Sequence, residues 1–193
     1  MTIVDSLRRA RRRERLSLRT VADRSGIGLT NLSAIENARR DPTTATAQRI
    51  ADALGLTFVP VFVRGRTSAA ATSDAVARAE AAGDDRLSYR EFIQLADDLA
   101  SVDGVTRVLL AVEEPVRTET RWDDAIAALV EFRLSEAGAP VPQWVIDRQG
   151  SADEPWEPRR AALPLPFPVD ISAVAEPFLR RGVLIEKNEL QSA

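Results

Sequence analysis

The sequence predicts a mainly α-helical chain in two folded parts, and three observations carry that reading. Residues 17–42 hold two short amphipathic segments joined by a glycine-bracketed turn. Residues 87–138 hold further apolar stripes at helical spacing, bounded by capping residues, glycine or proline. One run, 56–63, has the β-branched and aromatic texture of a strand. The expected order is a helical bundle over 1–64 that ends in a short β-strand, a linker over 65–86, and a small helical domain over 87–193 with a proline-rich extended segment.

A first helix is expected from Val4 to about Arg15, with Thr2 and Asp5 as a capping box. Val4, Leu7, Ala10 and Leu16 turn to the core. Arg8, Arg9, Arg11, Arg12, Arg13 and Arg15 span most of the helix circumference, so only one or two of them can meet a single partner surface.

Ser17 is placed to cap the next helix, whose inner stripe is Leu18, Val21 and Ala22. Gly26 and Gly28 flank Ile27, which lets the chain turn without a Cβ cost while Ile27 plugs the core. Leu32 and Ile35 are the inner positions of the following helix. That leaves Leu29, Thr30, Asn31, Ser33 and Ala34 facing outward, with Arg39 and Arg40 beyond the helix end. A helix is presented to the major groove of DNA in this way, with phosphates beside the arginines. Thr30 and Asn31 are the expected polar base readers, Asn31 by bidentate contact to adenine, and Leu29 and Ala34 suit thymine methyls. Ser17, Ser33, Arg39 and Arg40 suit phosphates, and Arg19 and Gly28 complete the expected DNA-binding set. One such module reads only a few base pairs, so a homodimer on an inverted-repeat operator of double-stranded DNA is expected.

After Pro42, residues 43–54 read as a helix with Ala47, Ile50, Ala51 and Leu54 inward, ended by Gly55. In the strand-like run, Pro60 forbids a central sheet position. The strand needs a partner, either its copy in a second subunit or the Val183–Glu186 run. Dimer contacts are expected at Phe58, Val61 and Phe62.

Residues 66–86 are rich in Ala, Ser, Thr and Asp and read as a linker with a weak helical stretch near Ala75–Ala82. Beyond it, Ser88 and Glu91 form a capping box before Phe92, Leu95, Ala96 and Leu99. Val105, Val108, Leu109 and Val112 repeat the spacing before Pro115. Thr120 and Asp123 precede a stripe of Trp122, Ile126, Leu129 and Val130. Residues 140–168 then hold seven of the eleven prolines, with proline at every second position of 163–168.

The net charge of −3 hides an asymmetry. Residues 1–66 carry 13 Lys/Arg against 6 Asp/Glu, or +7, and residues 67–193 carry 13 against 23, or −10. A basic head suits a polyanion, because each neutralised phosphate releases counterions. The chain has no Cys and no His, which removes disulfides, thiolate chemistry, His-based triads and the commonest transition-metal ligands. With no phosphate loop either, an enzyme is not expected, and neither is a cofactor or a metal. No apolar run is long enough for a membrane span, and a cytoplasmic protein is expected. The start of a dinucleotide fingerprint at 26–31 lacks its third glycine and any preceding strand. The acidic doublets Asp84-Asp85, Asp97-Asp98, Glu113-Glu114 and Asp123-Asp124 fall on polar helix faces and read as solvated charge. Trp122 reads as core; Trp144 and Trp156 are open between core and a ligand pocket.

The stretches LRTVADRSGIGLTNLSAIEN and RRDP…IADALGL resemble the Xre family of helix-turn-helix regulators, whose DNA-binding domain is lambda-repressor-like. The resemblance runs from about Val4 to Leu56. Two positions depart from the family: Leu18 stands where Gln is usual, and Glu36-Asn37-Ala38 replaces the usual Glu-Asn-Gly. Asn37 is expected to supply the left-handed residue at the helix end. More loosely, PVPQWVIDRQ…EPW and EPFLRRGVLIEKNEL are similar to C-terminal regions of helix-turn-helix proteins encoded beside nucleotidyltransferase-like toxins. That similarity implies an antitoxin, whose head represses its own operon and whose acidic body contacts the toxin. A small-molecule-responsive regulator with an effector pocket in the C-terminal domain remains the alternative.

Overall fold

The computed structural model describes residues 3–58, 62–158 and 168–191, which fold as two compact units, Met1–Phe62 and Val63–Ala193. The first unit is four helices: α1 (Ile3–Arg13), α2 (Leu18–Ser25), α3 (Leu29–Glu36) and α4 (Thr44–Ala53). Their inner stripes meet in one core of Leu7, Val21, Ile27, Leu32, Ile35 and Ile50 with small alanines between them. Val4, Ala10, Leu16 and Leu18 pack at its margin, only partly buried. The α1 helix stops two residues short of the expected end, and Arg15 takes a left-handed backbone, φ 53°. Thr43 caps α4 by accepting from the Thr46 N–H at 3.2 Å.

The strand expected over 56–63 is not seen in the described residues. Residues 59–61, with Pro60 and Val61, lie outside them, and the flanking residues 56–58 and 62–63 form no strand. The only β-pairing among the described residues is two isolated bridges, Trp156 with Val183 and Val174 with Glu186. Val183–Glu186 thus finds partners elsewhere in its own unit. The proline-alternating stretch lies outside the described residues except for Pro168.

In the second unit α5 (Ala69–Ala81), α6 (Asp85–Ala100), α7 (Gly104–Ala111), α9 (Gln143–Asp147) and α10 (Glu176–Leu179) gather around or beside α8 (Trp122–Glu136). The α8 helix is apolar almost all round, and such a helix must be central. Ala125 through Val130 are fully buried. The stretch expected as a linker carries α5, with Ala69, Ala70, Thr72, Ser73, Val76 and Ala79 buried. Its small side chains let α5 and α6 approach closely; a composition that reads as linker is here a packing surface. The α6 helix starts earlier than expected: Asp84 caps it by accepting from the Leu87 N–H at 2.9 Å, and Ser88 is buried, donating to Glu80.

Three tryptophans and three arginines fix this unit. Trp122 lies 5.0 Å edge-on from Trp156, and the Trp144 Nε1 donates to the Ala111 carbonyl at 3.0 Å, so all three serve the core. Arg181 is fully buried; it donates to the carbonyls of Arg148 (2.7 Å), Val145 (2.9 Å) and Pro177 (3.0 Å) and pairs with Glu131 at 2.8 Å. Arg148 donates to the Pro115 carbonyl at 2.5 Å and sits over Trp144; burial pushes its pKa down, opposed by Asp123. Arg133 donates to the Leu190 carbonyl at 2.9 Å. These bonds tie loop and helix-end carbonyls of separate segments to one another.

The acidic doublets are not uniformly solvated. Asp123 is buried and accepts from the Thr118 N–H, the Thr118 hydroxyl and the Glu119 N–H at 3.0–3.1 Å, tying the loop before α8 to its first turn. Asp98 is buried and accepts from the Thr67 N–H at 2.7 Å. Burial pushes the Asp124 carboxyl up, against the pull of Arg121 at 3.2 Å.

Candidate nucleic-acid interface

The turn between α2 and α3 is built around one glycine. Gly26 ends α2 at φ 63°, the left-handed region, and a Cβ there would lie 3.0 Å from the Arg49 guanidinium. Gly28, at φ −55°, has nothing within 4 Å of a built Cβ, so neither backbone nor space demands glycine there. Ile27 between them is buried, as its apolar side chain in a polar turn predicts.

Ser17 caps α2: its Oγ accepts from the Thr20 N–H at 3.0 Å, and its hydroxyl meets the Thr20 hydroxyl at 2.8 Å. Arg19 is exposed on the first turn of α2. On α3 the buried positions are Leu32, Ile35 and Glu36. Leu29 and Thr30 are exposed, and Asn31, Ser33 and Ala34 are half-buried. Leu29, Thr30, Ser33 and Ala34 fall at i, i+1, i+4 and i+5, one face of the helix. Asn31 stands at the margin of that face, with its Oδ1 buried and making no hydrogen bond. Arg39 and Arg40 are exposed beyond the helix end.

The end of α3 differs from the expectation. Asn37 has φ −95°, and its side-chain amide donates to the Ser33 carbonyl at 2.9 Å. The left-handed residue is Ala38, at φ 54°. Three N–H groups, those of Asn37, Ala38 and Arg39, still close onto the last turn of α3. The backbone therefore keeps the shape that a glycine would take without strain.

Two contacts that hold this module were not legible as such. Glu36 is a carboxylate at an inner position, i+4 from Leu32. Its two oxygens accept from Arg11 Nε and Nη2 at 2.7 Å each, which raises the Arg11 pKa against the opposing effect of burial. The inner placement of an acid in an apolar stripe was the available signal, since such a group needs a cation. Arg49 on α4 donates to the Ser25 carbonyl at 2.7 and 3.0 Å and to the Gly26 carbonyl at 2.8 Å, satisfying the open C-terminus of α2. Nothing in the sequence marked Arg49. Through these contacts α1 grips α3, and α4 grips the turn.

Of the six arginines of α1 and its end, Arg11 is consumed by Glu36 and by the Leu16 carbonyl at 2.8 Å, and Arg8 reaches the Glu36 carbonyl at 3.4 Å. Arg12, Arg13 and Arg15 are exposed. Among the described residues no helix is long and apolar enough to cross a membrane.

A Helix-turn-helix family model matches residues 7–61. No curated protein and no solved structure matches the chain. The matched span covers the four helices apart from the first turn of α1. Such a domain is that of DNA-binding transcriptional regulators, and residues 7–61 are a helix-turn-helix domain of the Xre, lambda-repressor-like type.

Proposed function

We propose that the chain is a sequence-specific transcriptional regulator that binds an inverted-repeat operator as a homodimer. The observation that carries this reading is the division of α3. Leu32, Ile35 and Glu36 fasten it to the core, while Leu29 and Thr30 at its N-terminal end stand in solvent. Thr30 and Asn31 read bases, and Leu29 and Ala34 meet thymine methyls. Ser17, Arg19, Gly28, Ser33, Arg39 and Arg40 position the module on phosphates. Exposed Phe58 and Phe62, at 36% and 92%, support a second copy covering the segment that includes Val61. Footprinting on the chain's own promoter tests this: two protected half-sites about one helical turn apart are expected. A single unpaired footprint, or none, contradicts the dimeric reading.

For the second unit we propose an interaction module, the toxin-binding part of an antitoxin. The two segments similar to such proteins pack on each other. The Trp156 N–H donates to the Gly182 carbonyl at 2.7 Å, the Leu184 N–H to the Trp156 carbonyl at 2.8 Å, and Arg181 reaches back to Arg148. This supports treating the two segments as one structural unit. Co-expression with the product of the neighbouring gene tests it: a stable complex and relief of growth arrest are expected, and a neighbour that neither binds nor arrests growth contradicts it.

A further inference from the structure

The α1 helix carries its arginines on two flanks. Arg8 and Arg11, one turn apart, both reach Glu36 at the end of α3. Arg11 donates twice to its carboxylate at 2.7 Å, and Arg8 donates to its carbonyl at 3.4 Å. Arg12 is i+4 from Arg8 and next to Arg11, so it stands on that same flank. Arg13 is i+2 from Arg11, which turns it to the opposite flank. Both Arg12 and Arg13 are exposed and lie in the last turn of α1. Neither side chain is hydrogen-bonded or ion-paired among the described residues.

Glu36 shows where the Arg12 flank leads. It is i+3 from Ser33, which belongs to the outer face of α3 with Leu29 and Thr30. The grip of Arg8 and Arg11 on Glu36 therefore lays the Arg12 flank of α1 along the edge of that face. Arg39 and Arg40 are exposed just past the end of the same helix. Arg11 and Glu36 neutralise each other. The uncompensated cations at this junction are Arg12, Arg39 and Arg40, and the exposed acids nearest to them in sequence are Glu14 and Asp41. A duplex entered by α3 brings backbone phosphates alongside that edge, and a cation with no acid of its own suits them.

We propose that Arg12, from α1, anchors an operator phosphate beside the groove that α3 enters. The inference rests on reading α3 as the recognition helix, and it picks out one exposed arginine of α1 from the others. A purely structural role, in which the cation offsets the negative end of the α1 dipole, would fall to Arg12 and Arg13 alike, because both sit in the last turn. Arg13 is therefore a matched control of equal charge on the other flank.

The test uses the full chain, its own promoter fragment and random DNA, with affinity measured across a range of salt. Arg12→Gln should lower the slope of log K against log salt by about 0.9 and weaken both DNAs alike, by about fivefold at 0.15 M salt, the contribution of one neutralised phosphate. Arg12→Lys, which keeps the charge, should keep the slope. Arg13→Gln should leave slope and affinity close to wild type, and circular dichroism should show equal helix content in all variants. Equal effects of Arg12→Gln and Arg13→Gln, whether large or absent, overturn the proposal, because the charge then acts only as a diffuse field. A loss confined to the promoter fragment also overturns it, since that would make Arg12 a base reader. Wild-type protein that binds DNA steeply while Arg12→Gln matches it defeats this inference alone. Wild-type protein that binds neither DNA defeats the DNA-binding reading and this inference with it.

Discussion

Arg11 and Glu36 join the first helix to the third through two parallel 2.7 Å hydrogen bonds, with side-chain exposures of 14% and 9%. Glu36 is the last residue of α3, so the pair fixes the angle at which the outer face of that helix is presented. Removing one partner strands the other in a mostly dry site. Glu36→Gln should therefore cost about 2–3 kcal/mol, less than for a fully buried pair because a little solvent reaches it. Thermal unfolding followed by circular dichroism checks this. A loss below about 0.5 kcal/mol would show an ordinary surface ion pair instead.

Ala38 holds a left-handed backbone, φ 54°, that costs an L-residue roughly 1–2 kcal/mol. Ala38→Gly should relieve it, and after the entropy cost of glycine the net gain should be about 0.5–1 kcal/mol. Ala38→Val should be destabilising. Denaturant midpoints of the two variants decide the point: equal midpoints would mean that the turn relaxes away from φ > 0.

Gly182 and Gly28 make a matched pair of controls. A Cβ on Gly182 would stand 2.2 Å from the Ser151 carbonyl oxygen, and its φ is 66°. Gly182→Ala should cost about 3 kcal/mol or more, combining overpacking with backbone strain. It should also loosen the Trp156 pairing, visible as a shift in tryptophan fluorescence. Gly28→Ala has open space and an ordinary φ. It should be near neutral for stability, so any loss of DNA affinity in that variant would report close backbone approach to phosphate.

Asn31 and Arg40 should separate reading from anchoring. Asn31 sits at the margin of the exposed face of α3 with a buried, unpartnered amide oxygen that must turn outward to meet a base, and Arg40 lies exposed past the helix end. Asn31→Ala should narrow the gap between operator and random DNA by about 1–3 kcal/mol. Arg40→Ala should weaken both alike. Competition titrations on both DNAs check this, and equal losses for Asn31→Ala would make it a phosphate contact.

The first unit was legible because its apolar positions have one consistent period. Leu7, Val21, Ile27, Leu32, Ile35, Ala47, Ile50, Ala51 and Leu54 are buried as their spacing demands. The same reasoning holds only in part on α7: of the stripe Val105, Val108, Leu109 and Val112, Val108 packs against the core while the other three are exposed. Half-buried Arg107 is held by the carbonyls of Ala100, Val102 and Arg133, and one-dimensional periodicity carries no such information. The buried Arg148 and Arg181 are hidden for the same reason, since their partners lie as far away in sequence as Glu131 is from Arg181. The α5 helix is read from sequence only as a weak helical stretch near Ala75–Ala82 within a linker, because alanine, serine and threonine describe both a flexible connector and a tightly packed helix face.

The central claim is that the N-terminal domain binds DNA through phosphate neutralisation, with α3 reading sequence. The most direct measurement is the affinity for the chain's own promoter fragment as a function of salt. With +7 in residues 1–66, log K against log salt should fall with a slope of several units, about 0.9 per phosphate engaged. Random DNA should show a similar slope at weaker affinity. A flat plot for the promoter fragment, with the domain folded, would contradict the account.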